Sequence, residues 1–119
     1  MTVQEIYKTI NGDYENVISR LATEERVQKY LLRFLDTTDF SDLKEAVSHD
    51  QWEKAFLAVH TLKGMALNLG FSNLAKCSSD LTEELRGGLK SEASARSYYA
   101  QVSEEYNRTV DAIKTLSVN

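Results

Sequence analysis

The chain contains no proline, one cysteine and only five glycines, at positions 12, 64, 70, 87 and 88. A β-rich domain of 119 residues needs many reverse turns, which draw heavily on glycine and proline, so their scarcity points to helices. The single cysteine, Cys77, excludes an intrachain disulfide and any multi-cysteine metal site, and it fits a reducing compartment. Lysine and arginine form no run, and the net charge is −4. No basic surface is available to bind nucleic acid or an acidic membrane. No apolar run approaches the roughly 20 residues that span a bilayer. The start, Met1 to Glu5, lacks the basic and apolar stretches of a secretion signal. We expect a cytoplasmic protein that binds neither nucleic acid nor membrane.

What is present is a 42% hydrophobic content spread at helical spacing. Neither a repeat nor a linker divides residues 1–119, so the expectation is one stand-alone domain. Short helices are expected over about residues 3–10, opened by a Thr2–Glu5 capping box, and from Asp13 to about 21 after an Asn11-Gly12 turn. Thr23 can cap a third, with Val27, Tyr30, Leu31 and Phe34 on one face. A polar turn over 36–39 precedes a fourth helix striped by Phe40, Leu43 and Val47. Asp50 and Glu53 have capping-box spacing and open a helix over about 51–69. Its members Trp52, Ala55, Phe56, Val59, Leu62, Ala66 and Leu69 recur every three or four residues. Gly70 fits its C-terminal stop. A helix over about 72–86 buries Leu74, Cys77, Leu81 and Leu85 and ends at Gly87-Gly88. Ser91 can cap a last, long helix carrying Tyr99, Val102, Tyr106, Val110, Ile113 and Leu116. Short connections place neighbours side by side. The expected fold is all-α: an up-and-down antiparallel four-helix bundle with additional short N-terminal helices.

His60 lies in the middle of the most strongly striped helix, just outside the apolar stripe. Lys63 and Gly64, three and four residues on, share its face. A histidine there can have one ring nitrogen held and the other open to solvent. Imidazole with an ordinary pKa of about 6.5 is a good nucleophile at neutral pH. Attack on phosphorus gives a phosphoramidate, which readily gives the group up again, as a carrier requires. Lys63 would offset the added charge. Gly64 is unfavourable by about 1 kcal/mol relative to alanine in a helix interior, so its presence is best explained by close approach of another molecule.

The segment from Ala58 to Leu74 resembles the signature of the histidine phosphotransfer (HPt) domain family. That pattern reads His-x-Leu-Lys-Gly, four residues, Leu-Gly and a further leucine. His60, Leu62, Lys63, Gly64, Leu69, Gly70 and Leu74 match it. The likeness extends over about residues 27–88 through the segments around Leu31–Leu35, Leu43, Leu81 and Arg86. The resemblance implies that His60 is phosphorylated, that Lys63 stabilises the phosphate and that Gly64 leaves clearance for a receiver domain. In some members, polar side chains of the following helix touch the histidine or the phosphate. Thr82 and Arg86 stand at those positions, Thr82 where some members carry a longer amide. The expected partners are response-regulator receiver domains and a hybrid histidine kinase. No cofactor is expected on this chain, the Mg²⁺ belonging to the receiver.

Beside the resemblance, Ala75, Ser78, Ser79 and Thr82 are all small and would leave a low strip next to His60. With Phe56 and Leu67 they would form a shallow apolar patch for a partner helix. No P-loop or glycine-rich phosphate loop is present, so autophosphorylation from ATP, and enzyme status, are not expected. Two other readings compete. In one, the chain is a helical adaptor and His60 is incidental. In the other, a metal or haem sits in the bundle core, which His49 and His60, on different helices, serve poorly. His49 reads as a helix-end residue, Cys77 as a buried structural thiol, and the chain as a monomer, since a carrier needs no oligomer.

Overall fold

A computed structural model describes residues 1–116 of the chain, and among them every regular element is an α-helix. The elements are α1 (Val3–Thr9), α2 (Tyr14–Leu21), α3 (Glu24–Phe34), α4 (Asp39–Ser48), α5 (Trp52–Asn68), α6 (Ser72–Leu85) and α7 (Glu92–Lys114). Four begin where a side-chain oxygen takes up an otherwise unpaired backbone N–H. Thr2 and Glu5 form a reciprocal capping box at α1. Asp13 accepts from the Asn16 amide, Thr23 from Arg26 and Ser91 from Ser94, each at 3.2 Å.

Two sequence expectations are corrected. Asp50 and Glu53 do not make a capping box. Asp50 sits in the left-handed region (φ 55°), Gln51 is the N-cap of α5, and no side chain caps that end. The Asp50 carboxylate instead pairs with Arg96 of α7. Tyr30 does not join Val27, Leu31 and Phe34 in the core but is exposed, with the Arg33 guanidinium 5.5 Å from its ring centre. One residue of helical phase separates a core position from a flanking one, and arginine offers an exposed aromatic ring a favourable partner.

α5 packs between α4 and α6, and α6 packs on α7. Ala55, Ala58, Val59, Leu62, Ala66 and Leu69 form the buried face of α5. An aromatic group ties the remaining elements to this stack. Phe34 meets Phe71 edge to face at 5.1 Å, and Phe40 stacks on Tyr106 at 4.1 Å. Offset and edge-on pairs of this kind add stabilisation beyond the area they bury.

The N-terminal helices are fixed to the turn between α5 and α6. The buried Tyr7 hydroxyl donates to the Leu69 carbonyl at 2.6 Å, and the Asp13 amide donates to the Gly70 carbonyl at 2.8 Å. Arg20 donates to the Asn68 carbonyl at 2.5 Å, putting a cation at the C-terminal end of α5, where the helix dipole favours it. These bonds hold the C-terminal end of the helix that carries His60.

Candidate functional site

With α4 on one flank of α5 and α6 on the other, one long side of α5 faces water. At about 100° per residue, Leu57, His60, Thr61, Gly64, Leu67 and Asn68 share that side, and all six are exposed. His60 therefore lies outside the apolar stripe, where the sequence puts it, and is exposed. Phe56 and Lys63 are half-buried and border it on the α6 side.

The imidazole is held by its face rather than by its nitrogens. The Phe56 ring, one turn earlier, is stacked on it with centres 5.8 Å apart and planes only 6° from parallel. Among the described residues no side chain or carbonyl is hydrogen-bonded to either His60 nitrogen, so the expectation of one held nitrogen is replaced by an exposed ring stacked on Phe56. The Arg86 guanidinium lies 5.5 Å from the centre of the Phe56 ring, as a cation–π partner. Arg86 and His60 thus flank the same aromatic ring.

Arg86 is itself engaged. Its Nε donates to both Glu83 carboxylate oxygens, at 3.3 and 3.2 Å, and its Nη2 donates to Oε1 at 3.1 Å. This bond holds the Glu83 carboxyl below the usual carboxylate range, and the charges of Arg86, Lys63 and Lys90 act in the same direction. Lys63 has no acidic partner within 4 Å among the described residues, although its charge is felt at Glu83. The ammonium therefore sits on the α6 side, the same side as Phe56 and Arg86. Sequence reasoning passed over Glu83. The available signal was its position three residues before Arg86 on one helix, the spacing at which opposite charges meet.

The strip of small residues is corrected. Ser78 and Thr82 are fully buried and Ala75 is buried, so only Ser79, half-buried, reaches the surface. The Thr82 hydroxyl donates to the Ser78 carbonyl at 2.7 Å, leaving neither space nor a free donor for an outside phosphate. Small side chains here let α6 approach its neighbours closely; they line an interior contact rather than an open trough. The apolar surface near His60 lies elsewhere. Leu57 is 65% exposed one turn before His60 and Leu67 is 56% exposed two turns after it. A groove of about 680 Å³ runs from Phe56 and Leu57 past Trp52 to Leu85, Gly87 and Leu89.

His49 ends α4 as its C-cap, with Nδ1 3.0 Å from the Glu45 carbonyl oxygen. Cys77 is buried, as its stripe position implies. Among the described residues no three His, Cys, Asp or Glu side chains gather as a metal-holding group, and no helix is long and apolar enough to cross a membrane.

Comparison with known proteins gives one match. The model of the Hpt domain family covers residues 29–114, from α3 to the end of α7. No curated protein and no solved structure matches the chain.

Proposed function

Because the chain belongs to the Hpt domain family, which serves histidine phosphotransfer in phosphorelays, we propose that it is a phosphocarrier whose phosphorylated residue is His60. The observation that carries this reading is a solvent-facing imidazole, stacked on Phe56, with Lys63 and Gly64 within a turn of it. Its partners are receiver domains of response regulators, with a hybrid histidine kinase upstream. The chain acts as a cytoplasmic monomer and as one domain. α4 to α7 serve as the up-and-down antiparallel four-helix bundle, with α1 to α3 as the additional N-terminal helices. Short connections and pairwise packing of successive helices support that arrangement.

In the reaction, a lone pair on a His60 ring nitrogen attacks the phosphorus of a receiver aspartyl phosphate. The P–N bond forms, the P–O bond to the aspartate breaks, and the carboxylate leaves with the electron pair while the imidazolium gives its proton to solvent. The return transfer reverses each step. Mg²⁺ would belong to the receiver and would offset phosphate charge there. This chain contributes position and charge, which dominate catalysis of phosphoryl transfer. Phe56 fixes the plane of the nucleophile, Lys63 lies beside the incoming dianion, and Gly64 leaves the helix surface low. Leu57 and Leu67, about 15 Å apart along α5, give a partner helix apolar purchase on both sides of His60. The chain is a carrier with no nucleotide site of its own and not an enzyme.

The test is incubation with a ³²P-labelled phosphorylated receiver domain and Mg²⁺. Acid-labile, base-stable label is expected on the wild-type chain and none on His60→Gln, with the helical content of the two unchanged. Equal labelling of both chains would overturn the assignment. Binding of the receiver without labelling of either chain would favour the adaptor reading.

A further inference from the structure

Arg86 packs on Phe56, the ring on which His60 is stacked, yet in the unphosphorylated chain its fork of donors is taken by Glu83 through three N–H···O contacts of 3.1 to 3.3 Å. A guanidinium offers two parallel donors to a carboxylate or a phosphate in the same geometry. The two anions therefore compete for one fork. Both side chains are about half exposed, so their pairing is weak enough to exchange. Glu83 also lies within the influence of Lys63, the other cation beside His60. We propose that Glu83 is an intramolecular competitor of the phosphoryl group: it occupies Arg86 while His60 is bare, must yield it when His60 is phosphorylated, and thereby shortens the life of the phosphohistidine. This rests on the assignment of His60 as the phosphorylated residue.

The direction follows from the chemistry of loss. In hydrolysis, water attacks phosphorus and a P–O bond forms while the P–N bond breaks. The ring nitrogen leaves with the electron pair, and the water's proton is taken up by the imidazole or by solvent. The transition state is loose and metaphosphate-like, and with no receiver present a departing unit that resembles PO₃⁻ carries roughly one negative charge where the bound dianion carries roughly two. A cation paired to those oxygens stabilises the ground state more and slows loss. A carboxylate that draws the cation away does the reverse. Glu83 is a positioning residue in this scheme, acting through Arg86 and touching neither phosphorus nor imidazole. Glu83 lies on the exposed side of α6, so neutralising it leaves the core unchanged.

The experiment measures the half-life of phosphohistidine after removal of the donor, in the full chain loaded from a labelled receiver domain. Four chains are compared: wild type, Glu83→Gln, Arg86→Gln and the double variant. Glu83→Gln is expected to lengthen the half-life about two- to fivefold, the range that exchange of one exposed ion pair supports. In the Arg86→Gln background the same substitution should change it little, because no guanidinium remains to be released. An unchanged half-life in Glu83→Gln, or an equal lengthening with and without Arg86, overturns the competition. Labelling that persists in His60→Gln overturns the underlying carrier assignment instead, so the two failures are distinguishable.

Discussion

At Gly64 an added Cβ would meet nothing within 4 Å. The fold does not require a glycine there, and glycine lowers helix stability by about 1 kcal/mol relative to alanine. Packing within the chain supplies no reason for it, whereas clearance for a partner does. Gly64→Ala is expected to raise the unfolding free energy by about 0.5–1 kcal/mol in urea titrations. Gly64→Leu should retain that gain yet slow exchange with a receiver domain by about tenfold or more, since about 1.4 kcal/mol of lost contact suffices. Exchange at the wild-type rate would remove the clearance argument. Cys77 is the opposite kind of residue, one whose chemistry the fold suppresses. Burial, with the Glu105 carboxylate adding, pushes its thiol up to about 11. The nucleophilic thiolate is then scarce at pH 8. A disulfide reagent at pH 8 should attack the native chain at least about a hundredfold more slowly than the denatured one. Comparable rates would mean that the α6–α7 contact opens readily.

Among the elements, the turn between α5 and α6 carries the most constraint. Gly70 has φ +69°, and a Cβ there would collide with Val17 Cγ2 and lie 2.9 Å from the Asp13 carbonyl oxygen. The turn and the start of α2 are in backbone contact, so a side chain between them must push α2 away. Gly70→Ala is expected to lower stability by about 3 kcal/mol or more, combining left-handed strain with overpacking. Gly87 is the control. Its φ is +77°, but a Cβ would meet open space, so alanine there should be unfavourable by only about 1 kcal/mol. Equal denaturation midpoints for the two variants would contradict a tight α2–turn contact.

For the whole molecule, the family match begins at residue 29, whereas the core begins at Val3. α1 and α2, with the turn after α1, bury Val3, Ile6, Tyr7, Ile10 and Val17. At about 1.5–3 kcal/mol for each large apolar side chain, an upper estimate, that burial is on the order of 10 kcal/mol. It is comparable with the whole stability of a typical domain, about 5–15 kcal/mol. A chain starting at residue 23 is expected to lose most of its cooperative thermal transition by circular dichroism, although it retains the entire family-matched region. Melting within a few degrees of the full chain would show that α1 and α2 are accessory.

The sequence by itself determined the helical class, the seven helices in their order, four side-chain caps and the position of His60 on an outward-leaning face. All are local properties, set by periodicities of three to four residues and by the first turn of each helix. Only the tertiary structure decided what surrounds that histidine. Asp50 left its capping role because Arg96 of α7 lies within reach, and no local pattern contains a partner 46 residues away. Ser78 and Thr82 are inside because α5 and α7 both pack on α6, and a small polar residue carries no mark of whether a neighbouring helix covers it. The stacking of His60 on Phe56 within α5, and of Phe56 beneath Arg86 of α6, depends on how far apart two helices come to rest. That distance is fixed by the volume of every side chain between them, a sum over the whole core that no single stretch of sequence holds.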